Sequence, residues 1–140
     1  MKSQKSDNPP AWMVEVHEQA KPELLALSKE MRARFAHIAD LLETFGPQRV
    51  GLPYIRPIES KLWEMRLHDR DGIARAVYAA IQDRRLLVLH VFIKKTETTP
   101  RSAITTALDR LKAHHDSVQE TESRTAGRPA NPRRLRRNGR

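Results

Sequence analysis

Leu62-Trp63-Glu64-Met65-Arg66-Leu67-His68-Asp69-Arg70-Asp71-Gly72-Ile73-Ala74-Arg75-Ala76-Val77-Tyr78-Ala79-Ala80-Ile81 is the stretch on which the fold turns. Its hydropathy repeats every two residues. Trp63, Met65 and Leu67 point to one side and Glu64, Arg66 and His68 to the other, as in a half-buried strand. Asp69 to Gly72 has turn chemistry, because Asp side chains bond nearby backbone and Gly accepts positive φ. Ile73 to Ile81 then makes a second strand, and Gln82-Asp83-Arg84 turns the chain again. Arg85 to Ile93 is almost entirely apolar, as expected of a central strand covered on both faces.

Working outward, the period changes. Thr99-Pro100 provides an N-cap and N1 pair, and Ile104, Leu108 and Leu111 form one stripe of a helix expected to end near His115. Upstream, Gly51, Pro53 and Pro57 punctuate a loop. Before it, Leu24, Leu27, Met31, Phe35, Ile38, Leu41 or Leu42, and Phe45 recur at steps of three or four. That stripe is a core-facing amphipathic helix, or a helical hairpin bent near Met31 to Arg34. Pro22 suits its start and Gly46-Pro47 its end. Trp12 to His17 is short and β-favouring, a first strand. The expected fold is α+β: an antiparallel sheet of a three-stranded meander plus an N-terminal strand, with an N-terminal helix or hairpin and a C-terminal helix.

Charge divides the chain. The 140 residues carry 26 Lys+Arg and 17 Asp+Glu, a formal net charge of +9. Residues 121–140 hold seven Arg and one Glu, so +6 of the total lies in the last twenty positions. Leu135 is the one large apolar side chain there, too little to offset ordering costs of about 1–2 kcal/mol per residue. Residues 118–140 are therefore expected to be a disordered Arg-rich tail, and 1–11 a disordered N-terminus, flanking a folded domain at 12–117. Arg133, Arg134, Arg136 and Arg137 are its candidate nucleic-acid contacts, acting by counterion release.

Several classes are excluded. The absence of Cys rules out disulfides, thiolate catalysis and Cys-based metal sites. No apolar run approaches the roughly 18 residues of a membrane span, and the N-terminus has no apolar signal core, so a cytoplasmic protein without membrane contact is expected. With no H-E-x-x-H, Gly-rich phosphate loop or G-x-S-x-G element, neither metal nor cofactor is expected.

What remains is a set of polar groups on the sheet. Glu64, Arg66 and His68 share a strand face. Arg75 sits among Ile73, Val77 and Ala79, where an unpaired charge is costly. Lys94 and Lys95 leave the third strand. Metal-free phosphodiester cleavage requires a proton acceptor for the ribose 2′-OH, cations on the phosphorane and an acid for the leaving oxygen. Arg66, Arg75, Lys94 and Lys95 are suited to the charge, and His68 or Glu64 to the proton.

Lys61-Leu62-Trp63-Glu64-Met65-Arg66, Ala74-Arg75-Ala76-Val77-Tyr78 and Leu87-Val88-Leu89-His90-Val91-Phe92-Ile93-Lys94-Lys95-Thr96, with Thr99-Pro100 beyond, resemble the phage-derived, HigB-like branch of the RelE/ParE toxin superfamily. The resemblance covers about Val14 to His115. It implies the toxin of a type II toxin–antitoxin system: an endoribonuclease, or mRNA interferase, that cuts mRNA on the ribosome and is restrained by a helix-turn-helix antitoxin. It also implies RNA contact and catalytic assistance by Arg66, Arg75, Lys94 and Lys95. Two departures motivate an alternative, a non-catalytic module binding nucleic acid or a partner. Ala74 stands where the family has an aromatic, and no Tyr follows Lys94-Lys95.

Overall fold

The computed structural model describes residues 12–51, 53–70, 72–94 and 98–127. In chain order they form β1 (Met13–Val16), α1 (Lys21–Leu25), α2 (Lys29–Phe45), β2 (Ile55–Pro57), β3 (Trp63–Asp69), β4 (Gly72–Ile81), β5 (Arg85–Ile93) and α3 (Arg101–Gly127). The five strands form one sheet in the order β1-β5-β4-β3-β2. The expected α+β architecture and the β3-β4-β5 meander are present, with antiparallel registers pairing Arg66 with Arg75 and Arg75 with Phe92.

Several details differ from the sequence reading. The N-terminal strand pairs in parallel with β5, Val14 opposite Leu86, so the sheet is mixed. A fifth strand, β2, occupies part of the expected loop. Pro57 is tolerated there because β2 lies at the sheet edge, where a missing N–H breaks no ladder. The helical stripe is a hairpin, broken at Ala26 to Ser28 rather than at Met31 to Arg34. Ser28 is the reason: its Oγ accepts from Met31 N at 3.1 Å and caps α2. Gly46 ends α2 at φ +86°, its N–H bonded to Leu42 O. No helix among the described residues is long and apolar enough to cross a membrane.

The main core lies on one face of the sheet. Met31, Ile38 and Leu42 of α2 pack with Met65 and Leu67 of β3, Ala74, Ala76 and Tyr78 of β4, and Leu86, Val88 and Val91 of β5. Full burial of each large aliphatic group there contributes about 1.5–3 kcal/mol. A register shift between Val77 and Tyr78 sets Val77 opposite His90 and Tyr78 opposite Val88, leaving Leu89 as the extra residue of a bulge. Beyond β1, the edge of β5 is covered by α1: Glu23 Oε1 accepts from Val91 N and contacts His90 Nδ1, each at 3.0 Å. His90 is thus a partnered structural histidine, stacked on Phe92.

The chain divides within α3 into residues 1–108 and 109–140. The first unit holds the whole sheet and the buried Ala103, Ile104 and Ala107 of α3. In the second, α3 continues past His115 to Gly127, with an exposed Lys112–Asp116 pair at 3.1 Å. Residues 118–127 of the expected tail are therefore helical. No Pro or Gly lies between residues 118 and 126 to interrupt them. Residues 1–11 and 128–140, with Arg133, Arg134, Arg136 and Arg137, lie outside the described residues.

Candidate functional site

Strand alternation puts Glu64, Arg66 and His68 of β3 on the sheet face opposite the main core, with Arg56 of β2 beside Glu64 and Arg75 of β4 beside Arg66. Lys94 follows β5 on the same side, its N–H bonded to Ile73 O at 2.7 Å. Four cations and one carboxylate thus share this face. Like charges directly opposite across strands repel, so the Arg66–Arg75 pairing requires compensation.

Compensation comes from a buried network. Glu64 and Arg75 are both fully buried. Arg75 Nη1 lies 3.3 Å from Glu64 Oε1 and donates to Thr99 Oγ1 at 2.7 Å. Thr99 Oγ1 in turn donates to Glu64 Oε1 at 3.0 Å. One hydroxyl accepts from the cation and donates to the anion, using both its capacities. Arg56 Nε approaches Glu64 Oε2 at 3.4 Å. Thr99 was expected to cap α3. Instead its hydroxyl is engaged on the sheet, and Pro100 O receives the first helical N–H groups, from Ala103 and Ile104.

The remaining expected residues divide clearly. Arg66 is half-buried, with Nε buried and without a hydrogen-bond partner. Lys94 is half-buried and His68 is exposed. Partial burial, with the positive charges of Arg66, Arg34 and Lys94, holds the His68 imidazole below its ordinary pKa. These charges disfavour the protonated imidazole. Lys95 lies outside the described residues. Ala74 is fully buried on the core face, so an aromatic at this position would meet the core rather than the cations. Tyr78 also faces that core, and burial pushes its hydroxyl far above the usual phenol range. The sequence reading missed Arg56, hidden in a presumed loop, and the bridging part of Thr99.

The five-stranded α+β sheet with its flanking helices is a fold shared with solved toxin structures. The chain belongs to the family described as Phage derived protein Gp49-like (DUF891), whose model matches residues 22–112. Among solved structures, it is similar to Escherichia coli toxin RelE in the free state, a doubly substituted mutant. That match has 20% identity and a TM-score of 0.52, covering 71% of this chain and 97% of that one. The archaeal RelE-RelB complex from Pyrococcus horikoshii OT3 is also similar, at 24% identity and a TM-score of 0.46, over 59% of this chain and 94% of that one. No curated protein matches the sequence.

Proposed function

We propose that this chain is the toxin of a type II toxin–antitoxin pair, a HigB-like, metal-independent endoribonuclease that cuts mRNA on the ribosome in the cytoplasm. The observation that carries the reading is the sheet face on which Arg66 and Lys94 act on His68, with Arg75 beneath it paired to Glu64 and Thr99.

In this mechanism His68 takes the proton from a ribose 2′-OH. The 2′-oxygen attacks the adjacent phosphorus, the bond to the 5′-oxygen breaks, and a 2′,3′-cyclic phosphate forms. Arg66 and Lys94 stabilise the extra negative charge of the phosphorane, with Lys95 as a further cation. The leaving 5′-oxygen takes a proton from the Lys94 ammonium. Arg75 and Glu64 act as positioning residues: their burial keeps them from substrate, and their pairing fixes the strand that carries Arg66. Arg133, Arg134, Arg136 and Arg137 add sequence-independent attraction to RNA. An antitoxin with a helix-turn-helix domain and an acidic segment would cover the basic face.

Induced expression in a bacterial host should arrest growth with loss of intact mRNA. Arg66→Ala and His68→Ala should each lower the cleavage rate at least 100-fold, the usual scale of a general base or charge-stabilising group. Wild-type expression without arrest or cut mRNA would defeat the enzyme reading. The burial of Arg75 and Glu64 favours one alternative, a non-catalytic binding module. Its mark is RNA affinity that persists with no cleaved product.

A further inference from the structure

A second feature lies around the edge of the same strand. An open cleft of about 490 Å³ is lined by Glu30, Arg34 and His37 of α2, His68 and Asp69 of β3, and Arg70 of the following turn. Its volume falls in the roughly 300–1,000 Å³ range of small-ligand sites. Two segments far apart in sequence contribute to it, and a single side chain, His68, belongs both to this cleft and to the cation-lined face.

The carboxylates and cations here have different duties. Asp69 is engaged in holding the fold. Its Oδ2 accepts from Ser28 Oγ at 2.7 Å and its Oδ1 from Gly72 N at 2.9 Å, which ties the start of α2 to the β3-β4 turn. Arg34 and Arg70 are exposed and form no ion pair with a described residue. His37 and His68 add two imidazoles able to donate N–H. Arg34 is close enough to act on His68 together with Arg66 and Lys94, so cations of the cleft and of the sheet face meet at this one imidazole. Two arginines and two imidazoles outnumber Glu30 and the already engaged Asp69 around this concavity, an arrangement suited to an anion. Forked guanidinium groups favour phosphate over a point-charge partner.

We infer that the cleft between α2 and the end of β3 is a nucleotide subsite: Arg34 and Arg70 hold the phosphate next to the one cleaved, with His37 and His68 as N–H donors at its margin. This rests on the proposed ribonuclease reading, since the ligand is the same RNA strand. The subsite fixes strand register and so places one particular 2′-OH at His68. It makes His68 the pivot between holding the strand and cutting it.

The test uses the full-length protein and a fluorescent hexanucleotide with 2′-O-methyl groups, which binds without being cut. Its affinity is measured against salt for the wild type, Arg34→Ala/Arg70→Ala and Arg66→Ala. Both arginines of the double variant are exposed, so its melting temperature should match the wild type. The double variant should bind about tenfold more weakly, as expected for lost charged hydrogen bonds. Its slope of log affinity against log salt should shrink by about 0.7, the value of one phosphate on a single strand. Wild-type-like affinity and slope in the double variant, alongside weakened binding by Arg66→Ala, would overturn the subsite and leave the ribonuclease reading standing. Failure of the wild type to bind the hexamer would remove RNA as the ligand, and both readings with it. Uridine monophosphate binding as tightly as the hexamer, through Arg34 and Arg70, would make the cleft a free-nucleotide site and overturn the strand-register role.

Discussion

Arg75 occupies the position of greatest electrostatic consequence. A guanidinium with no exposed surface is tolerable because Glu64 supplies the opposite charge and Thr99 fills the geometry between them. Such a pair is weak evidence of net stabilisation, yet removing one partner is expensive. Arg75→Ala should lower unfolding free energy by about 3–5 kcal/mol in urea titrations, because it strands Glu64. The double variant Glu64→Leu/Arg75→Met should recover much of that loss, and a double-mutant cycle would measure the coupling. A double-variant loss equal to the sum of the two single losses would show the pair to be uncoupled. The face shared by Glu64, Arg66 and His68 was legible from period-two alternation alone. The bridge through Thr99 was not, because a Thr before Pro satisfies a local capping rule, and only the folded sheet offers its hydroxyl better partners.

At the scale of elements, α2 shows how much a chain end decides. Its stop was legible in Gly46-Pro47, and the structure adds a steric reason. A Cβ on Gly46 would stand 3.3 Å from Trp12 Nε1, on a residue already at φ +86°. Gly46→Ala should therefore destabilise the domain by about 1–2 kcal/mol, the cost of left-handed backbone for a residue with a Cβ. Thermal melting would check this, and an unchanged midpoint would contradict it. The break between α1 and α2 had its own mark in Ser28, but the apolar stripe runs past it without losing phase. β2 was hidden for a different reason. Three residues ending in Pro57 have no alternation to read, and they are a strand only because β3 offers them an edge. The cleft of Arg34, His37 and Arg70 was equally invisible, since its members come from a helix and a turn far apart in sequence.

Across the whole molecule, charge and stability are linked through His68. The cations Arg66, Arg34 and Lys94 disfavour its protonated form, while Glu30, His37, Asp69 and Arg70 stand with it around the cleft. Its pKa is lower folded than unfolded, so the unfolded chain binds more protons and stability rises with pH. Stability should therefore decline as pH falls below about 6.5, the unfolded value, and level off below the folded one. With exposed groups and solvent screening the change should be under about 1 kcal/mol. Urea midpoints at pH 7.5 and 5.5 should differ less in His68→Asn than in the wild type, and an identical difference would remove His68 as the cause. The +9 total of the sequence describes the molecule poorly. The cations of the sheet face are placed one by one, by strand register.

The parallel pairing of β1 with β5 sets an order of events as the chain is made. Strands β3, β4 and β5 are joined by tight turns and can zip together locally, whereas Met13–Val16 must find Arg85–Val88 across some seventy residues of chain. Loop closure over that separation is slow compared with hairpin formation. During synthesis β1 leaves the ribosome early and stays without its partner until β5 has emerged. The strand translated before the other four is thus among the last to dock, and the sheet is incomplete until β5 has been made.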